Sequence, residues 1–423
     1  MATENPRVWF KSISLENVRS FGSKQTINFT DKDGNAARWN VILGDNGTGK
    51  TTVLRSLCLL TDQDHSSLYY LNRNRIWDAR IKLVKATDDK CQELPLELHN
   101  DPHRDGPRLT LRQYPSKGDT LDKPLVFAYG AVRRIGNSAI TVEKANTTQN
   151  LLYENAELTN AAELLVQADY LALKEADETR QNNYVRIKHI LLRLFRDQIS
   201  DIDIKAGVTN RHSPPGVFFK THYGEVGLHD LSLGYKTLIA WMVDFAKGLL
   251  DRYPDSKDPL AEPAVCLVDE IDLHLHPKFQ RNIIQFLTET FRNTQFIVTA
   301  HSPLIVVAAE ERPLDANIIL LKREGDQTVV VNDPVDVSKW SVDQILNSDL
   351  FGHVPARSEP LSELRTERDA LLAKGKLTKK DNTRLAELDE KIGFIPFGQD
   401  QAEIKAETII QQLADVLRKQ QQV

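Results

Sequence analysis

This 423-residue chain contains three cysteines, and no two of them are near each other. Cys58, Cys91 and Cys266 share no C-x-x-C spacing. That excludes a sequence-visible zinc site or disulfide framework and suits a reducing cytosol. The chain also lacks any run approaching the roughly eighteen consecutive apolar residues that a spanning helix needs, so no membrane association is expected. Residues 1–10 have no apolar core of the kind a signal peptide carries, and a cytoplasmic location is the expectation. There is no excess of basic charge: the formal net charge is −5, unlike a strongly basic nucleic-acid binder, so any DNA contact would need a local patch. Repeats are absent, and no heptad array is long enough for an extended coiled coil. What the chain does have is 41% hydrophobic residues, enough for a real core, in a length that allows one large or two to three ordinary domains.

The strongest local pattern is Gly44-Asp45-Asn46-Gly47-Thr48-Gly49-Lys50-Thr51, which fits the phosphate-binding loop G-x-x-x-x-G-K-[ST]. The glycines let the backbone curl so that successive N–H groups point at phosphate oxygens. Lys50 adds positive charge near the β- and γ-phosphates, and the Thr51 hydroxyl can hold Mg²⁺. Val41-Ile42-Leu43 reads as a buried strand entering the loop. Val53, Leu54, Leu57 and Leu60 lie at helical spacing after it, so a helix N-terminus would face the anion. The nucleotide-binding candidates here are Asn46, Gly47, Thr48, Gly49, Lys50, Thr51 and Thr52, with ATP and Mg²⁺ as the implied ligands. A glycine turn between two elements is the bland alternative.

Three further stretches fit the same chemistry. Ala264-Val265-Cys266-Leu267-Val268-Asp269-Glu270 is an apolar strand ending in two carboxylates. Asp269 would hold Mg²⁺ and Glu270 would polarise an attacking water; a strand end followed by a helix cap is the plain reading. Thr299-Ala300-His301-Ser302-Pro303 follows another apolar run, and a histidine at such a strand end can reach a γ-phosphate, or be an ordinary loop residue. Leu231-Ser232-Leu233-Gly234-Tyr235 opens a helix whose apolar face is Leu238, Met242, Phe245 and Leu249. Ser232 is a natural N-cap; the same exposed N-terminus, with Ser232 and Gly234, can bind the γ-phosphate of a second nucleotide.

Elsewhere, residues 8–30 read as two strands joined by a turn, and 62–124 as an irregular polar insertion. Leu125 to Tyr129 reads as a strand, 151–200 as long helices, and 318–331 as a closing hairpin. After about Trp340 the composition changes: 357–393 reads as a helical hairpin with Thr378 as a cap, and about 401–420 as a last helix.

The order of these motifs resembles the ATP-binding cassette class of ATPases, in the branch that holds SMC, Rad-type and OLD-type proteins. Leu15-Glu16-Asn17-Val18-Arg19-Ser20-Phe21 resembles that branch's opening strand and turn, and Val268-Asp269-Glu270-Ile271-Asp272-Leu273-His274-Leu275-His276-Pro277 resembles its Walker B and D-loop. The resemblance covers 8–335. It implies an α/β fold: a P-loop NTPase with an ABC-ATPase-like head, made of a mixed sheet plus a helical lobe, and a C-terminal helical appendage. The head would span 1–340, with lobe I at about 1–130 and 262–340 and the helical lobe at about 131–261; the appendage at 341–423 would make oligomer or partner contacts. The resemblance implies that Arg19 approaches the nucleotide, that Glu270 and His301 are catalytic, and that Thr51 and Asp269 are the metal ligands. It also implies that Lys50 of one subunit faces Ser232 and Gly234 of another in an ATP-sandwiched dimer. Leu233 and Tyr235 depart from the family's L-S-G-G-Q/E signature. No Q-loop glutamine is visible; Arg133 and Arg134 stand there, to contact phosphate or be solvated. The long coiled-coil insertion is missing, since 135–225 is too short for it.

Within that branch, the Ala128-Tyr129-Gly130-Ala131-Val132-Arg133 strand end and Asp349-Leu350-Phe351-Gly352 before the hairpin look like the ATPase subunit of bacterial anti-phage Septu systems. The ATPase of the PARIS system is similar in outline. This likeness implies an ATPase that controls a partner nuclease, of HNH type first and TOPRIM type second, with a phage protein or DNA as trigger. The chain itself shows no nuclease signature: His99, Asn100 and His103 read as polar loop residues, and no TOPRIM-like acidic cluster follows residue 310. Two alternatives stand beside it. One is a repair or clamp ATPase gripping DNA through a basic stripe at Arg73, Arg75, Arg80, Lys82 and Lys85. The other is a scaffold that holds nucleotide without hydrolysing it.

Overall fold

A computed structural model of the chain describes residues 5–61, 79–87, 90–99, 108–110, 123–136, 147–174, 178–196, 198–205, 216–311, 316–332, 334–355, 358–374, 377–393 and 401–420. It divides into two compact units, Met1–Ile345 and Leu346–Val423.

The first unit begins with β1 (Trp9–Glu16), β2 (Gln25–Asn28), β3 (Trp39–Gly44) and α1 (Lys50–Thr61). Then come β4 (Ala79–Ala86), β5 (Cys91–His99), β6 (Arg108–Thr110), β7 (Val126–Tyr129) and β8 (Arg134–Ile135). Next are α2 (Gln149–Leu152), β9 (Glu157–Leu158), α3 (Ala161–Lys174), α4 (Glu178–Leu194), β10 (Ile199–Lys205), β11 (Gly216–Thr221), β12 (Gly224–Gly227) and α5 (Leu233–Arg252). The unit closes with β13 (Ala264–Val268), α6 (Pro277–Thr290), β14 (Thr294–Thr299), α7 (Pro303–Glu310), β15 (Ala316–Glu324), β16 (Gln327–Val331) and α8 (Val342–Leu346).

Its centre is a six-stranded sheet in the order β16-β15-β3-β14-β13-β7, parallel except for the β16 edge. The central strands are buried on both faces and mostly apolar, as in a sheet covered on both sides. On β13, Val265 and Leu267 join the cluster containing Val53, Leu54 and Leu57 of α1. That cluster also holds Phe10, Ile13 and Leu15 of β1 and Ile27 of β2. Helix α1 is therefore clamped between the parallel sheet and an antiparallel sheet of order β2-β1-β4-β5-β6. On the other face, Phe245 of α5 packs its ring against Phe127 (4.9 Å), Phe291 (4.6 Å) and Phe296 (6.4 Å).

Three sequence readings change. The stretch 62–124 is not simply irregular: its described part supplies β4, β5 and β6, which continue the sheet from β1. The alternation Arg80-Ile81-Lys82-Leu83 was a period-2 strand signal inside a charged stretch. Residues 131–261 contain, besides helices, a three-stranded antiparallel sheet β10-β11-β12. The basic stripe loses Lys85, which is buried, while Arg73 and Arg75 lie outside the described residues, as do Asn100 and His103.

The second unit holds α9 (Glu359–Leu372), α10 (Lys379–Ile392) and α11 (Gln401–Gln420). Thr378 caps α10 through a capping box: its hydroxyl oxygen accepts from the Asp381 N–H, and the Asp381 carboxylate accepts from the Thr378 N–H. Leu385 and Leu388 are buried, whereas Ile409, Ile410 and Leu413 on α11 are exposed. Among the described residues no helix is long and apolar enough to cross a membrane.

Replacing Phe245 with Ala removes the ring that three aromatic neighbours share. We expect a loss of about 3–5 kcal/mol in equilibrium chemical denaturation. A loss below about 1 kcal/mol would mean the helix–sheet interface collapses around the gap.

Candidate nucleotide site

The C-terminal ends of β3, β7, β13 and β14 lie along one edge of the parallel sheet, held in step by the pairs Val268–Val298, Val268–Tyr129 and Thr299–Ile42. Open α/β sheets bind ligands at this edge. A cavity of about 560 Å³ opens there. Arg19, Asn46, Gly47, Gly49, Lys50, Thr51, Thr52, Asp269, Glu270 and His301 line it, joined by Ser20. Thr48 is buried in the loop with its hydroxyl donating to the Asp45 carbonyl (2.9 Å). A second cavity, of about 510 Å³ between α4 and α6, contains none of the predicted residues.

The loop after β3 turns directly into α1, so the helix N-terminus and its free amides face the cavity. Gly49 sits at φ 97°, and a Cβ there would meet Ser20 Oγ at 2.5 Å and the Phe21 ring at 2.8 Å. The turn carrying Arg19 and Ser20 thus packs on the phosphate loop, which explains how a residue thirty positions upstream reaches the same cavity. Lys50 Nζ donates to the carbonyls of Gly44 (2.7 Å) and Asp45 (2.9 Å). Burial pulls the Lys50 pKa down, and the carboxylates of Asp269, Glu270, Asp45 and Asp272 oppose that shift.

Opposite the loop, Asp269 accepts from Thr51 Oγ1 through one oxygen (2.7 Å) and from Thr299 Oγ1 through the other (2.6 Å). Thr299 Oγ1 also accepts the Glu270 N–H (2.7 Å). Glu270 itself adopts φ 49°. Asp272 accepts the His301 N–H at 2.9 Å, holding the β14 exit loop. Thr299 and Asp272 were not singled out from sequence, although each lies inside a stretch that was. The Thr51 hydroxyl and the Asp269 carboxylate form a hard-oxygen pair of the kind Mg²⁺ takes.

Ser232 and Gly234 do not line this cavity. Ser232 holds the N-cap position of α5, yet its side chain makes no capping bond and is exposed. Its plain reading as the N-cap therefore holds by position, without a capping bond from the side chain. Gly234 is needed sterically: a Cβ would lie 2.1 Å from the His274 carbonyl oxygen. Tyr235 turns inward, donating to Gln198 Oε1 (2.6 Å) and packing edge-on to Phe195 and Phe279, while Leu233 is 61% exposed. Arg133 is buried and off the cavity, and Arg134 is exposed. For Arg133, neither phosphate contact nor solvation holds.

A strand, phosphate loop and helix, faced by His301 just after the neighbouring strand β14 and by Asp269 and Glu270 just after the next one, β13, define a P-loop ATPase with an ABC-type head. The chain belongs to the family described as "AAA domain, putative AbiEii toxin, Type IV TA system", whose pattern matches residues 84–308. It is similar to the Retron Vc95 probable ATPase of Vibrio cholerae serotype O1 biovar El Tor, 25% identical over 71% of this chain and 72% of that one. It is also similar to the Septu protein PtuA of Bacillus mycoides, 24% identical over 91% of this chain, which spans only 50% of that relative's length. Among solved structures, the SMC head domain from Thermotoga maritima superposes with a TM-score of 0.44 at 17% identity, covering 77% of this chain and 100% of that one. The head fold itself rests on the strand order and the loops at its edge.

Gly234→Ala is expected to lower stability by about 1–3 kcal/mol, because its methyl group meets main chain rather than a movable side chain. Differential scanning calorimetry checks this; an unchanged melting temperature would mean the turn at His274 moves aside freely.

Proposed function

We propose that this chain binds ATP with Mg²⁺, hydrolyses it slowly, and serves as the ATPase subunit of a bacterial anti-phage complex. In this reading two heads close on shared nucleotide and control a partner nuclease. The observation that carries it is the division of the donors. One cavity holds Lys50, the α1 amides, Asp269, Glu270 and His301, while Ser232 offers an unused hydroxyl at the exposed N-terminus of another helix. A second copy would bring that helix end to the γ-phosphate.

The residues have separable tasks. Lys50 and the α1 amides offset charge on the β- and γ-phosphates. Arg19 approaches from the β1 turn, and Gly47, Gly49 and Thr52 shape the loop around the phosphate chain. Thr51 and Asp269 would hold Mg²⁺, which would supply charge neutralisation at the phosphate oxygens. Glu270 accepts a hydrogen bond from the water whose oxygen attacks the γ-phosphorus as the bond to the ADP oxygen breaks. His301 donates to the γ-phosphate and reports its loss. The defence role is supported by the names of the retron and Septu relatives. The nuclease we favour is of HNH type. The exposed Ile409, Ile410 and Leu413 of α11 are the surface we assign to oligomer or partner contacts.

Lys50→Ala should weaken ATP binding by at least about tenfold in a fluorescent-nucleotide titration. Glu270→Gln should keep binding, slow phosphate release by about a hundredfold, and raise the dimer fraction seen by light scattering. Ser232→Arg should abolish that ATP-dependent dimer. If wild type and Glu270→Gln are equally inert and equally assembled, nucleotide acts only as a scaffold. Co-purification with a neighbouring HNH protein tests the partner; a TOPRIM protein in its place would change the partner class alone.

A further inference from the structure

The loop after β7 should, by the family resemblance, carry a glutamine; it carries Arg133. This side chain is 4% exposed. Its Nε donates to the Gly130 carbonyl (3.0 Å), and one Nη donates to the carbonyls of both Asp269 (2.5 Å) and Glu270 (2.9 Å). The guanidinium also lies 6.0 Å from the centre of the Trp241 ring on α5. Its neighbours on the loop face outward: Val132 is 55% exposed and Arg134 is exposed.

We infer that Arg133 is a positioning residue: from behind the Walker B turn it grips the carbonyls of Asp269 and Glu270 and so aims the Glu270 carboxylate into the nucleotide cavity. The inference rests on the ATPase reading above. Two features carry it, the first geometric. Consecutive carbonyls in an extended strand point to opposite sides, so one donor cannot hold both. Here Glu270 is bent to φ 49°, which brings its carbonyl round to the same guanidinium. Arg133 itself sits at φ 36°, so two non-glycine residues in the left-handed region meet across these bonds. Such conformations persist only where surrounding contacts enforce them, and they collect at functional sites.

The second feature is chemical. Burying a cation costs several kcal/mol unless its hydrogen bonds are made. The planar fork of arginine supplies several fixed directions at once, which a lysine ammonium does not. A guanidinium keeps its charge at neutral pH even when buried, so the group is a cation here. A hydrophobic residue would have filled this space at lower cost. The charge is retained where it is adjacent to the two carboxylate-bearing residues whose backbone it holds. Through Trp241 the same group touches the helix that starts at Ser232, and it links the turn of one half-site to the helix presenting the other.

The test compares full-length wild type with Arg133→Lys, and with Arg133→Gln should the first fail to fold. Steady-state ATP turnover is measured together with hydrogen–deuterium exchange over 268–273. We expect kcat to fall about tenfold or more with KM for ATP within about threefold, and the amides of 269–271 to exchange faster while those of 44–52 do not. A KM that rises at constant kcat would mean Arg133 contacts phosphate and would overturn the inference. Unchanged exchange at 269–271, or faster exchange there with unchanged kcat, would overturn it too. If wild type has no turnover, the catalytic reading of the site fails. The exchange data then decide alone whether Arg133 holds the turn.

Discussion

The carboxylate of Asp269 is the tie on which this head depends. One oxygen receives the Thr51 hydroxyl from the start of α1, and the other receives the Thr299 hydroxyl from the end of β14. Thr299 in turn receives the Glu270 amide. Three loops from three parallel strands are thereby fixed relative to one another by short hydrogen bonds to one charged group, the stronger kind of hydrogen bond. The sheet makes this possible, since its register brings the strand ends level. The clamp of α1 between two sheets holds the helix axis, and with it the free amides at its N-terminus, in one direction.

Around that tie the backbone is unusually bent for non-glycine residues. Arg19, Arg133, Glu270 and His274 all have positive φ. Each sits where a loop must turn sharply to bring a side chain or carbonyl to a neighbouring element. Arg19 enters the cavity, Glu270 presents its carboxylate, Arg133 faces the Walker B turn, and the His274 carbonyl lies against Gly234. Glycine would adopt these angles more easily. Here the surrounding packing holds non-glycine residues at these angles.

The departures in the L-S-x-G stretch have separate physical causes. Tyr235 is an anchor: its hydroxyl holds Gln198 and its ring sits in an aromatic group with Phe195 and Phe279. Leu233 is left facing solvent, an exposed apolar residue beside Ser232 at the helix tip.

Much of this was legible in the residues alone. The phosphate loop, the apolar strand ending in Asp269 and Glu270, the strand before His301, the closing hairpin and the capped helix at Thr378 are local patterns. Their spacing, turn chemistry and periodicity are properties of neighbouring residues, and these survive folding unchanged. The strands β4 to β6 were harder to read because short alternating segments in a charged stretch gain their stability from pairing with β1, far away in sequence. The burial of Arg133, the bridging role of Thr299 and the contact of Gly234 with His274 were not legible at all. Each depends on groups separated by tens to hundreds of residues, and a single sequence carries no distance between such groups. The sequence by itself determined which chemical groups are available and the order in which the chain presents them. Only the tertiary structure decided which groups meet: it gathered one set of donors into a cavity and left Ser232 on the outside, because the sheet register and the packing of α1 and α5 fix where every loop ends.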